Sequence, residues 1–282
     1  MFKKDYFKGW YFKCFSENKT LAFIPAFHSS GNQETASVQI ITDNAVFNIP
    51  FNSLKYRENP LCIVLENCVF SKKGIDINFK NDKLTVSGNL KFSAFSPLRY
   101  DIMGPFKFIP FMECRHSVYS MRHIVDGEII INGQLFNFQN SLGYIEGDCG
   151  RSFPEKYIWT QCCFENCSLM LSVANIPFGL FCFTGIIGVV MLNGKQYRIA
   201  TYLGAKVKSI NENSVIVTQG NYKLCATLIK KNSLPLYAPI SGKMDRTIHE
   251  SASCEARYIF SYRGKVLYQF TSNRASFEFE YT

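Results

Sequence analysis

Ser141-Leu-Gly-Tyr-Ile-Glu-Gly-Asp-Cys-Gly-Arg-Ser-Phe-Pro-Glu-Lys-Tyr-Ile-Trp-Thr-Gln161 is the stretch around which the rest of the chain can be read. If Leu142 to Asp148 is extended, side chains alternate across the strand, and Tyr144, Glu146 and Asp148 share one face. Gly150 to Pro154, with glycine and proline around Arg151 and Ser152, ends that strand and turns the chain. Tyr157, Trp159 and Gln161 then alternate along a second strand. Two carboxyls beside aromatics are costly to bury without partners, so this wall is the first place to look for chemistry. A plainer arrangement fits the same spacing: Glu146 and Asp148 face solvent and pair with Arg151 and Lys156, while Tyr144 lies on the polar side of an ordinary antiparallel sheet.

Outward from that stretch the pattern is β throughout. Toward the N-terminus, Lys8 to Phe15, Thr20 to Phe27, Ala36 to Thr42, Ala45 to Ile49, Leu61 to Phe70, Ile75 to Lys80 and Lys83 to Phe92 all have strand length, separated by turn pairs. Ser96 to Phe111, punctuated by Pro97, Gly104, Pro105 and Pro110, reads as a loop packed over the mouth of something. Met112 to His123, as a strand, puts His116 on a face with Cys114, Val118 and Ser120, where it is a candidate base or a core histidine bonded to a carbonyl.

Asn132-Gly133 closes a hairpin over Glu128 to Phe138, and Asn193-Gly194 closes another over Met191 to Tyr202. Each is followed at the same offset by Leu-Gly, which hints at two related β units. Ser168 to Asn193 carries no charge, but Pro177 and three glycines cut it into pieces of strand length. Two buried strands, Leu169 to Ala174 and Leu180 to Met191, joined through Asn175 to Gly179, explain it better than a spanning helix. Further strands run Val207 to Ile210, Ser214 to Gln219, Tyr222 to Ile229, Glu255 to Tyr262 and Lys265 to Phe270. Leu236 to Ser251 reads as a loop in which Asp245, Arg246, His249 and Glu250 either pair with one another or line a site.

Composition narrows the function classes. A chain of 282 residues with 47% hydrophobic and 15% aromatic residues has ample apolar surface for a core and a pocket. The net charge of +9 is scattered, with no basic stripe, zinc finger or RNA-binding signature, so nucleic acid is not expected as a partner. The 11 cysteines form no Cys-x-x-Cys pair, and Cys162, Cys163 and Cys167 have no histidine at ligand spacing. Free buried thiols in a reducing, cytoplasmic setting are expected, with no metal. The N-terminal residues break their apolar run with charge and make no signal-peptide core. No nucleotide or flavin motif is present, and no cofactor is expected.

Five blocks carry a resemblance: Lys8-Gly-Trp-Tyr-Phe-Lys13, Phe111-Met-Glu-Cys-Arg-His-Ser117, Gly143-Tyr-Ile-Glu-Gly-Asp-Cys-Gly-Arg-Ser-Phe-Pro154, Ala200-Thr-Tyr-Leu-Gly-Ala-Lys206 and Gly242-Lys-Met-Asp-Arg-Thr-Ile248. In order and content they resemble the signature blocks of the tocopherol cyclase family in its shorter bacterial form. The resemblance implies an all-β fold of two lipocalin-like antiparallel β-barrel or sandwich units, here residues 1–140 and 141–282. It implies closure of a chromanol ring on a prenylated quinol or related isoprenoid: an alkene is protonated and the phenol oxygen traps the cation. The Tyr-x-acid pair implicated in alkene protonation in related carotenoid hydratases falls on Tyr144 and Glu146. The family has Trp where this chain has Cys149, a change expected to enlarge the pocket or remove a face that stabilises cations.

The residue chemistry agrees. Protonating an alkene needs a carboxyl that stays neutral at working pH, which an apolar pocket supplies by raising its pKa. Glu146 is the first choice for that acid; Asp148 would stay ionised or accept the phenol proton, with His116 as the alternative base. Trp10, Tyr11, Trp159 and Tyr202 are expected as an aromatic wall, with Gln161 and Arg246 also on the substrate. A container that binds an apolar ligand unchanged, and a hydratase of an isoprenoid double bond, remain as alternatives. Contact with a membrane surface is compatible with the basic charge.

Overall fold

The computed structural model describes residues 5–31, 33–51, 61–109, 112–178, 181–232 and 234–281. The first residues of the chain, Pro110, Phe111, Gly179 and Leu180, which entered the sequence reading, lie outside these. Strands make up 75% of it, in two ten-stranded antiparallel sheets, one an almost closed barrel and the other a half-barrel. The expected all-β architecture of lipocalin-like units is therefore observed.

The first sheet contains β1 (Tyr6–Phe15), β2 (Thr20–Ser30), β3 (Gln33–Thr42), β4 (Val46–Phe51), β5 (Cys62–Leu65), β6 (Cys68–Ser71), β7 (Gly74–Lys80), β8 (Thr85–Phe92), β9 (Cys114–Ile131) and β10 (Gln134–Gly150). Its order is β4-β3-β2-β1-β10-β9-β8-β7-β6-β5. The second contains β11 (Tyr157–Phe164), β12 (Cys167–Phe178), β13 (Phe181–Leu192), β14 (Lys195–Ala200), β15 (Lys206–Asn211), β16 (Ser214–Gln219), β17 (Tyr222–Lys230), β18 (Leu234–Ile240), β19 (Lys243–Tyr262) and β20 (Lys265–Glu280). There β14-β13-β12-β11-β20-β19-β17-β16-β15 run side by side, and β18 pairs with β19. The chain crosses from one sheet to the other between Gly150 and Tyr157, so the division expected at 140/141 falls within β10.

Period-two alternation explains why some strands are buried on both faces. Along β1, Trp10, Phe12 and Cys14 point into the first barrel, where Phe23, Phe70 and Phe138 join them. Tyr11, between them in sequence, points the other way, into a third apolar layer shared with Met121, Tyr144, Trp159, Met170 and Ile248. The second sheet has its own core around Leu169, Leu171, Leu224 and Phe277. A fully buried phenylalanine such as Phe12 contributes roughly 2–3 kcal/mol by removal from water.

Both Asn-Gly hairpins form as expected, with Asn132 and Gly133 at φ 48° and 81° and Asn193 and Gly194 at 50° and 76°. Four sequence expectations change. Leu61 to Phe70 is not one strand but the β5–β6 hairpin, turned at Glu66 with φ 51°. Asn175 to Phe178 continues β12 rather than connecting it. Leu236 to Ser251 is the β18–β19 hairpin rather than a loop. The two Leu-Gly pairs are not equivalent, since Leu142-Gly143 lies inside β10 while Leu203-Gly204 closes a 3-10 turn. The loop after β8 does cover a mouth: its 3-10 turn, Gly104–Phe108, brings Phe106 beside Met103 over the cavity described next.

Candidate active site

Tyr144, Glu146 and Asp148 project from β10 toward the second sheet, on the face the alternation predicts. Tyr144 is fully buried and Glu146 is 5% exposed, which rules out the solvent-facing arrangement with Arg151 and Lys156. The Tyr144 hydroxyl donates to Glu146 Oε2 at 2.5 Å, and the Trp159 indole Nε1 donates to the same oxygen at 3.2 Å. His116, from β9, stands between the two acids: Nε2 is 3.1 Å from Glu146 Oε2 and Nδ1 is 2.9 Å from Asp148 Oδ1. Two donors, Tyr144 and Trp159, thus meet on Oε2, with the imidazole alongside as an ion-pair neighbour rather than a hydrogen-bonded one, and none of these contacts uses Oε1.

Local sheet irregularity brings this about. Between the Gly143–His123 and Glu146–Val118 pairs, β10 advances three residues while β9 advances five. The two extra residues are bulges, which re-aim side chains at a sheet face. Past them the register is regular and sets His116 opposite Asp148.

Burial and charge pull the site's titrations in a definite direction. Burial raises the Glu146 carboxyl above the ordinary range, outweighing the neighbouring imidazole and the donated hydrogen bonds. Burial alone would lower His116, yet the Asp148 and Glu146 charges carry it well above the ordinary histidine value. Burial and the adjacent Glu146 push the Tyr144 phenol well up, so it keeps its proton and donates it to Glu146. The arrangement is a proton store of two carboxyls joined by one imidazole. His116, Glu146 and Asp148 also offer ligand atoms within 4.8 Å of one another. A cation on His116 Nε2 would take Glu146 as ligand but leave Asp148 on the far nitrogen, so the geometry suits a proton better than a three-ligand ion.

These groups stand between two adjoining apolar pockets, a first and a second lobe, which share part of their lining. Met103, Phe106, Met112, Ile176, Phe183 and Ile187 line the first lobe. Phe7, Ile24, Leu236, Met244 and Ile248 line the second. Glu146, Asp148, Phe153, Trp159 and Glu278 border both. Tyr11 sets its ring edge-on to Trp159, with centroids 5.7 Å apart, and its hydroxyl bonds to Ser276 Oγ at 3.1 Å.

The sequence missed Glu278, a buried acid of β20 that accepts the Tyr157 hydroxyl at 2.5 Å. Phe277-Glu-Phe-Glu280 alternates as clearly as any strand, but its partner Tyr157 is 121 residues away.

Of the expected substrate residues, Trp10 borders the second lobe from the first barrel's core, and three are placed elsewhere. Gln161 lines neither lobe; its side-chain oxygen accepts from Lys13 Nζ at 3.5 Å and its amide donates to Cys163 Sγ. Tyr202 lies one layer out, edge-on to Phe106 with centroids 5.5 Å apart. Arg246 braces the wall, donating to the Pro154 and Glu155 carbonyls at 3.0 Å each and pairing with Glu280 at 3.4 Å. Cys149, where the resemblance expects a tryptophan, lies on the face of β10 opposite Glu146 and Asp148 and lines neither lobe, so an enlarged pocket does not follow from it.

No protein-family model matches the chain, and no curated protein matches it by sequence. Solved structures do resemble it. CghA, in complex with Sch210972, superposes with a TM-score of 0.64 at 8% identity, over 99% of this chain and 89% of that one. Kievitone hydratase from Nectria haematococca gives 0.58 at 9% identity, over 99% and 89%. An AttH-like protein from Nitrosomonas europaea gives 0.57 at 11% identity, over 98% and 93%. At these identities the likeness is one of fold.

Proposed function

We propose that the chain is an acid–base enzyme of tocopherol cyclase type, closing an oxygen ring on a prenylated quinol or related isoprenoid. The observation that carries this is a buried glutamate bordering two adjoining apolar pockets, one oxygen of which accepts from Tyr144 and Trp159 while the His116 imidazole lies 3.1 Å from it. With Oε2 held by donors, Glu146 presents Oε1 for a proton. In the reaction that proton goes to an alkene carbon, the phenol oxygen bonds to the resulting carbocation, and the phenol proton passes to Asp148, beside a His116 that already carries its own. No atom is gained or lost, and the proton store is refilled through the imidazole. Trp159 and Tyr11 give the cation an aromatic face, and the apolar lobes keep water from it.

The fold shared with kievitone hydratase favours a second reading, in which water traps the cation. The same acid serves both, and only the nucleophile differs. Eleven unpaired thiols fit a reducing compartment such as the cytoplasm. No helix among the described residues is long and apolar enough to cross a membrane. Peripheral contact is supported by Phe108 and Phe181, each 78% exposed, which flank in sequence the Phe106–Phe183 ring contact at the first lobe.

Incubating the protein and its Glu146→Gln variant with a prenylated hydroquinol in detergent, and separating products by chromatography with mass detection, tests the reading. Cyclisation yields an isomer of unchanged mass and shifted retention, and hydration adds one water. The variant is expected to lose about 10²–10⁴-fold in rate. Ligand retained unchanged by both proteins would instead support a container.

A further inference from the structure

The second lobe holds a polar side chain that the chemistry above does not use. His28, near the end of β2, is 5% exposed. Its Nε2 lies 3.3 Å from Ser37 Oγ, while its Nδ1 is buried with no hydrogen-bond partner. A buried ring nitrogen left without a partner costs roughly 1–3 kcal/mol, a penalty that a ligand can remove.

Its position follows from the strand. Ile24, Ala26 and His28 alternate along β2 and all line the second lobe. Gly9, on the neighbouring β1, keeps that wall low: a Cβ there would come within 3.6 Å of the Ala26 methyl and 3.9 Å of Ile24. Leu236, Met244 and Ile248 of the β18–β19 hairpin face it. Gln39, the other polar side chain of this wall, is already occupied: it donates to the Tyr237 carbonyl and accepts from the Tyr237 amide, each at 2.9 Å. His28 is therefore the group of this wall with capacity to spare, in a lobe whose other end is Glu146 and Trp159.

We infer that the second lobe seats a hydroxylated ring whose outer hydroxyl bonds to His28 Nδ1, with the reacting alkene at Glu146 and the apolar tail in the first lobe. This rests on the cyclase reading and adds a specificity-determining residue to it. Burial pushes the His28 pKa down to about 4, so the imidazole is neutral near pH 7 and suits a hydroxyl rather than an anion. A neutral ring satisfies either direction of bond: if Ser37 donates to Nε2, Nδ1 carries the hydrogen, and if Ser37 accepts, Nδ1 accepts from the ligand. A lobe built this way discriminates against a ring without the outer hydroxyl, because the nitrogen is then left unpaired again.

The test is a tryptophan-fluorescence titration at pH 7 of the parent, His28→Ala and His28→Gln. The probes are a prenylated hydroquinol and the matching prenylated phenol that lacks the outer hydroxyl. The parent is expected to bind the hydroquinol about tenfold more tightly than the phenol, the value of one hydrogen bond. His28→Ala should bring that ratio to about one, and His28→Gln should keep part of it. The ratio is taken within each protein, so a partly unfolded variant does not distort it. An unchanged ratio in His28→Ala, or no preference in a parent that binds and cyclises both probes, overturns the role of His28 and leaves the cyclase reading standing. A parent that binds neither probe refutes the cyclase reading, and this inference with it.

Discussion

A single carboxyl oxygen organises the site. Oε2 of Glu146 accepts from Tyr144 and Trp159 and has the His116 imidazole 3.1 Å away, all favouring the ionised form, while burial favours the neutral one, and burial prevails. An acid raised in this way is active while protonated, so activity falls as pH climbs through its elevated pKa. Tyr144→Phe removes a donor that stabilises the carboxylate, so it moves that alkaline limb to higher pH; a pH–rate profile of the two proteins checks the sign. The sequence announced Tyr144, Glu146 and Asp148 because period-two spacing puts them on one face. It was silent on His28, which lies one residue beyond the expected end of its strand at Phe27, and nothing near it in sequence shows that Nδ1 lacks a partner.

Among the elements, β1 reaches the second sheet through its side chains. Its odd face carries Tyr11 and Lys13, and the fully buried Lys13 reaches across to the Arg274 carbonyl and Ser276 Oγ, each at 2.7 Å. Lys13→Ala, which leaves those acceptors unmet and a void behind, is expected to cost about 2–4 kcal/mol in chemical denaturation. Lys13→Met, which fills the same space, should cost less. If the two substitutions cost the same, the lysine's bonds, and not its bulk, hold the sheets. Hairpins closed by Asn-Gly could be read from sequence because their turns need positive φ at both residues. The bulges in β9 could not, since they appear only when β9 is laid against β10. The β18–β19 hairpin was hidden by Pro235 and Pro239, which sit in its shorter arm and look like loop signals.

For the whole molecule, buried imidazoles set the response to acid. Burial lowers His28 to about 4 and His123 to about 3. Each is neutral in the fold but takes a proton below about 6.5 when unfolded, so stability is lost as pH falls from there toward the lowered values. His116 has the opposite sign: its raised pKa contributes stability that is full below the unfolded value and lost as pH rises through the folded one. His123 lies against Phe92 and Phe95, with centroids 4.7 and 5.0 Å away, and bonds to Ser120 Oγ at 3.1 Å through Nδ1. His123→Asn keeps a polar atom for Ser120 and removes the titration. Denaturation curves at pH 7 and pH 4 should show roughly 3 kcal/mol less acid loss in the variant than in the parent. Alternation and charge-poor runs revealed an all-β chain with a large apolar interior. The pockets between its sheets were not visible, because their walls come from β1 to β3, β9 to β13 and β18 to β20, which are spread along the chain.

The protonation of Glu146 is measured most directly by infrared difference spectroscopy of the carboxyl C=O stretch across a pH series, parent against Glu146→Gln. The expected result is a protonated-carboxyl band that persists above the ordinary carboxylate range in the parent and is missing from the variant. A parent whose carboxyls all ionise in the ordinary range, with no band assignable to Glu146, would contradict an alkene-protonating acid at this position.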